Sequence, residues 1–111
     1  IEDQRILAML VERGTALEVC PKSNIDSGVI DSFEAHPLPR LYAHGVKTTI
    51  NTDDPLISNV TLTDEIVSMM HHAAMSLDDV KTHIMAAAKA SFLPAAEQTA
   101  LAAKFGAWLS A

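Results

Sequence analysis

Cysteine is almost absent from this 111-residue chain: Cys20 stands alone. One thiol closes no disulfide within the chain and makes no Cys-x-x-Cys metal knuckle. A reducing, cytoplasmic compartment is the expectation. Glycine is scarce as well, with four residues, and no low-complexity tract gives the chain a disordered composition. No apolar run approaches the ~20 residues of a membrane span, so no membrane partner is expected. Positive charge is in short supply. The formal net charge is −6, and Lys22, Arg40, Lys47, Lys81, Lys89 and Lys104 are scattered rather than gathered into a stripe. Such a surface does not suit nucleic acid, and none is expected as a partner. The first residues, Ile1-Glu2-Asp3-Gln4-Arg5, are no secretory signal, because no apolar stretch follows a basic one. They also lack an initiator Met, so the numbering is expected to start inside a longer gene product.

What is present is apolar material: 49% of the residues are hydrophobic, enough for a sizeable core in one domain at most. Residues 1–13 read as a helix, with Ile6, Leu7, Leu10 and Val11 at helical spacing and Gly14 as its cap. Residues 15–20 read as a strand, apolar enough to be buried on both faces. Residues 22–36 read as a long loop with a helical turn near Ser32-Phe33-Glu34, and a loop of that length usually has a job. A short helix over 37–43 and a second strand over 46–52 follow. Three helices close the chain, over 62–74, 77–90 and 94–109. Ser76 with Asp79 opens the second of these as a variant capping box, and Pro94 opens the third. Leu101, Phe105 and Trp108 share a face of the last helix.

Two strands joined through a helix imply a parallel pair with a right-handed crossover, hence the α/β class. A parallel pair alone is not a stable sheet, because such sheets need both faces covered and their edges paired. The chain therefore reads as a piece of a larger α/β fold. A (β/α)8 barrel takes ~250 residues, so this chain would supply less than half of one.

The most informative stretch is Thr48-Thr49-Ile50-Asn51-Thr52-Asp53-Asp54-Pro55. A β-branched run delivers two adjacent carboxylates to the end of a strand, and a proline stops it. Side chains alternate along a strand, so both acids reach one cavity only if the backbone leaves the strand between them. The carboxyl end of a strand is where α/β active sites sit. The competing reading is an Asx-type turn that caps the next segment, and composition alone favours the turn.

A wider pattern shifts that balance. Leu17-Glu18-Val19-Cys20-Pro21-Lys22-Ser23-Asn24, His36-Pro37-Leu38, His44-Gly45-Val46, Asn51-Thr52-Asp53-Asp54-Pro55 and Ser91-Phe92-Leu93-Pro94, in that order and spacing, closely resemble the C-terminal part of the adenosine deaminase family. The resemblance implies the C-terminal portion of a (β/α)8 barrel, with the two strands as the seventh and eighth. On that reading residues 1–111 are one segment and not an autonomous domain. It implies a Zn2+ cofactor bound by Asp53 and a purine nucleoside substrate whose N7 meets Asp54. It implies hydrolytic deamination of adenosine to inosine and ammonia. A carboxylate oxygen suits zinc, and a protonated Asp54 could donate to N7, an acceptor in the ground state.

The departures matter equally. The family's His-x-His pair, third metal histidine, proton-donating glutamate and Gly-His-Gly segment would all lie before Ile1. One carboxylate cannot hold a catalytic zinc, which wants three or more protein ligands. The segment alone is therefore expected to be inactive, with the N-terminal part of the barrel as its missing partner. Ala86 stands where the family often has Asn, with little effect expected on chemistry. Adenine or another aminopurine is the alternative substrate. The adenine-type relatives tend to have Ser-Asp-Asp-Pro, whereas this chain has Thr52 and then Leu56-Ile57-Ser58, which favours a nucleoside modestly. A non-catalytic remnant or assembly partner is the third reading, and it would lead if 111 residues were the whole product.

Other residues read as structural. His71 and His72 are neighbours on a helix and point about 100° apart, so they do not chelate easily. His36, His44 and His83 have no second ligand at chelating spacing. Cys20 has no paired base and reads as an inert side chain. Ser23 and Asn24 read first as turn-makers, although they sit where a substrate would lie. Met69 and Met70 read as core.

Overall fold

Helices precede and follow each strand in the computed structural model, which describes residues 3–110. Among the described residues the order is α1 (Gln4–Arg13), β1 (Ala16–Val19), α2 (Pro21–Asp26), α3 (Leu38–Ala43), β2 (Lys47–Ile50), α4 (Leu62–His72), α5 (Leu77–Ala90) and α6 (Ala95–Leu109). The start of the expected first helix, Ile1 and Glu2, lies outside the described residues. β1 and β2 pair in parallel, with Ala16 opposite Lys47 and Val19 opposite Ile50. The α/β reading therefore holds. Among the described residues no helix is long and apolar enough to cross a membrane.

The helix boundaries follow from their caps. The Asp3 side chain accepts from the Arg5 amide and opens α1. Gly14 closes it at φ +63, a left-handed conformation glycine adopts at no steric cost. Thr61 with Asp64 and Ser76 with Asp79 form reciprocal capping boxes at α4 and α5, each satisfying two orphan amide donors. The second is the Asp variant expected from sequence, with both of its bonds formed. Pro94 is the N-cap of α6 rather than its first helical residue, and Pro37 is likewise the N-cap of α3.

Three expectations need correction. Both strands are shorter than read, because the ladder lasts only while the neighbour is alongside. Residues 21–26 form a helix, not loop; Pro21 sits at its first position, where a missing N–H costs nothing. And β1 is not buried on both faces: Glu18 is exposed and its other residues are half-buried. The helices α3, α4 and α5 all pack on β2, whose Thr48, Thr49 and Ile50 are buried; among the described residues each strand has the other as its one strand neighbour. The core sits where β2 meets these helices: Leu38, Ile50, Met69 and Met75, with Val19, Phe33 and Ile66 against them. Met69 is core, as read. Residues Phe105 and Trp108 of α6 meet edge-on at 5.5 Å, but no residue of α6 is buried and Trp108 is largely exposed.

Candidate active site

The acid pair lies just beyond β2. The ladder makes one more bond after Ile50, as the Asn51 amide donates to the Val19 carbonyl at 2.8 Å. At Asp53 the backbone turns to φ +59, a left-handed conformation uncommon outside glycine and tolerated best by Asp and Asn. The break in alternation that the two acids require thus falls between Ile50 and Asp54. Both acids are exposed.

Their hydrogen bonds differ. Asp53 Oδ2 accepts from the Ser23 hydroxyl at 2.8 Å, across from the first turn of α2. Asp54 Oδ1 accepts from the amides of Leu56 and Ile57 at 3.1 and 3.2 Å. The turn reading for Asp54 is therefore right for one of its oxygens. Its other oxygen makes no hydrogen bond among the described residues and stays available to a ligand. Ser23, read first as a turn-maker, instead reaches a side chain 30 residues away.

The start of α2 is held from a distance. The Glu65 carboxylate on α4 is fully buried and accepts from the Lys22 amide with both oxygens, each at 3.1 Å. Burial pushes its carboxyl above the usual carboxylate range, and the Lys22 amide opposes that rise. Asn24 Oδ1 is 3.2 Å from His36 Nε2, and His36 Nδ1 accepts from the Leu38 amide at 3.1 Å. That second bond assigns the proton to Nε2, which donates to Asn24. Burial lowers the His36 pKa, in keeping with a neutral ring. Sequence reasoning missed Glu65. The visible signal was an acid four residues before Met69, on the apolar stripe of α4.

The remaining candidates fall away from the acid pair. His83 is buried on α5, where Nδ1–H donates to the Asp79 carbonyl at 2.6 Å and Nε2 accepts from the Thr48 hydroxyl at 2.9 Å. Both nitrogens are engaged, so it is a satisfied core histidine. His44 donates from Nδ1 to the Arg40 carbonyl at the end of α3. His72 donates to Glu34 at 2.6 Å and stacks on Phe33, tying the loop after α2 to α4. Burial raises the Cys20 thiol pKa, with the Asp53 and Glu65 charges adding to it, so it is no ready nucleophile. A cavity of about 210 Å3 lies between β2 and the helices α4, α5 and α6, lined by Ile50, Ile66, Val80, Ile84 and Phe105. It is apolar, and its only titratable side chain is the doubly bonded His83.

Asp53 is exposed, with one carboxyl oxygen held by the Ser23 hydroxyl, and that kind of support is common for ligating carboxylates. Among the described residues no three His, Cys, Asp or Glu side chains stand together where they could hold a metal. Asp53 by itself does not make a metal site.

Comparison with known proteins places this geometry in context. The family model for adenosine deaminase matches residues 1–108. An adenosine deaminase of Clostridium acetobutylicum is 35% identical over 91 residues, which are 82% of this chain and 27% of that protein. An adenine deaminase of Sinorhizobium fredii is 38% identical over 93 residues, 84% of this chain and 29% of that protein. The crystal structure of an adenine deaminase from Arthrobacter aurescens superposes with a TM-score of 0.92 at 27% identity, covering 99% of this chain and 34% of that one. An amidohydrolase of Burkholderia ambifaria, solved with bound zinc, superposes with a TM-score of 0.82 at 21% identity, over 96% of this chain and 30% of that one. At that identity the likeness is one of fold. The chain spans about a third or less of the length of the proteins it matches.

Proposed function

The chain belongs to the adenosine deaminase family, and on that footing we propose that it is the C-terminal portion of a (β/α)8 barrel that hydrolytically deaminates adenosine. In this reading β1 and β2 are the seventh and eighth strands of the barrel. Their outer edges take the strands of the N-terminal part, which completes the domain and carries the other ligands. The observation that carries the reading is the geometry after β2. One acid leaves the strand with an oxygen braced by Ser23, and the next is braced by two backbone amides with an oxygen to spare.

Each residue then has a part. Asp53 is a zinc ligand, and the Ser23 hydroxyl orients it. Asp54 meets N7 of the purine through the oxygen that the Leu56 and Ile57 amides leave open, sharing a proton with that nitrogen. Fixing the purine there would hold the ring in one orientation, which is a positioning contribution. Bound zinc supplies Lewis acidity and makes water a competent nucleophile at neutral pH. The leaving group is ammonia and the product a 6-oxopurine. Residues from the N-terminal part supply the acid and the base, so this segment by itself is inactive. A cytoplasmic location suits a protein with a lone thiol in this segment.

Adenine is the second reading, favoured by the adenine deaminases at 38% identity in sequence and a TM-score of 0.92 in structure. Thr52 and the Leu56-Ile57-Ser58 loop favour the nucleoside. Ammonia release from adenosine and from adenine by the full-length, zinc-loaded protein decides. Adenosine turned over at the higher kcat/KM is expected. Preference for adenine selects the second reading, and turnover of neither by a folded, zinc-loaded preparation refutes both.

A further inference from the structure

A buried carboxylate is costly unless something requires it, and Glu65 is 0% exposed in the α4 face that also buries Met69. An apolar side chain of similar size would fill the same space, so packing does not explain the acid. Its hydrogen bonds do. The N-cap residue of α2, Cys20, makes no side-chain cap bond, and Pro21 has no amide hydrogen. The Lys22 amide is therefore the first donor of the helix, and Glu65 takes it with both oxygens from 43 residues further along the chain. The next residue, Ser23, is the one whose hydroxyl reaches Asp53 Oδ2 at 2.8 Å.

We propose that Glu65 is a positioning residue for Asp53: it fixes the first turn of α2 through the Lys22 amide and so holds the Ser23 hydroxyl against the Asp53 carboxylate. The inference deepens the proposed function and rests on Asp53 being a metal ligand. The hydroxyl that supports Asp53 is thus set by α4, the helix that follows β2, through a backbone amide of the segment that follows β1. A merely structural role for Glu65 predicts no dependence on Ser23.

The test uses full-length protein carrying Glu65→Gln, Glu65→Met, Ser23→Ala, and Glu65→Met with Ser23→Ala. Zinc dissociation constants are measured by competition with a chelator, alongside thermal melts that certify folding. Gln keeps one acceptor oxygen, so E65Q is expected within about threefold of the parent. E65M is expected to weaken zinc about 10–100-fold, the usual cost of losing a group that orients a ligand. The double variant is expected to be no weaker than the weaker of its two single variants. Parental zinc affinity in a folded E65M, or additive losses in the double variant, overturns the proposal. Glu65→Leu serves in the same cycle if E65M does not fold. Crystal structures of metal-free protein give a reading that needs no zinc: the Ser23–Asp53 contact is lost in E65M and kept in E65Q. If the parent binds no zinc at all, the metal reading has failed, and retention of that contact in E65M separately overturns the positioning role.

Discussion

Replacing Met69 by Ala tests the packing of the floor beneath the acid pair. Met69 is fully buried in one cluster with Leu38, Ile50 and Met75, and Ile50 lies three residues before Asp53. Truncation removes a Cγ, a sulfur and a terminal methyl from that cluster. Burying a Met side chain is worth roughly 1.5–3 kcal/mol, and Ala retains only its first carbon. The void adds its own term, because the surrounding helices relax only in part, and measured Met→Ala losses in cores run about 2–5 kcal/mol. A loss of about 3 kcal/mol is expected for M69A. Met69→Leu conserves volume and should lose under ~1.5 kcal/mol. Met70, half-buried on the neighbouring face, is the control, and M70A should lose less than M69A. Urea unfolding of the full-length protein followed by circular dichroism measures all three. A loss under ~1 kcal/mol for M69A, or one no greater than that of M70A, would refute close packing of α4 against β2 through this residue.

Two further outcomes follow from the site. Burial lowers the His36 pKa below its ordinary value near 6.5, so the unfolded chain binds a proton there that the folded chain does not. His36 then contributes stability that is complete above about pH 6.5 and declines as pH falls toward the folded value, where a proton on Nδ1 would face the Leu38 amide. The urea midpoint should drop between about pH 7.5 and about pH 5, and drop less in His36→Gln; equal drops would remove His36 as the cause. Asp54→Ala should leave zinc content unchanged while kcat/KM for adenosine falls at least about a hundredfold, the scale of a lost proton-sharing group. Loss of zinc from that variant would mean that the roles of the two acids are reversed.

What could be read in advance was local or periodic. The helix between the two apolar runs called for a parallel pair, and the pair exists. Two acids on one strand called for a backbone break, and it occurs at Asp53, with φ +59. The failures are tertiary. Pro21-Lys22-Ser23-Asn24-Ile25-Asp26 has no helical stripe, and its helix is held at the start by Glu65, a residue no local window contains. His83 reads as a structural helix residue and is one, but the sequence does not show its second partner, Thr48 of β2, 35 residues away. β1 carries the apolar composition of a covered strand, but among the described residues the helices gather on β2 and β1 stays half-buried. At Asp54 the two competing readings were not exclusive. One oxygen caps the turn, and the other makes no hydrogen bond among the described residues.

The most direct test is the zinc content of full-length Asp53→Ala beside the parent, measured by mass spectrometry of the metal together with ammonia release from adenosine. One zinc per parent active site is expected, with zinc lost from the folded variant and deamination lost with it. A folded Asp53→Ala protein that holds zinc and deaminates adenosine as the parent does would contradict the assignment of Asp53 as a metal ligand.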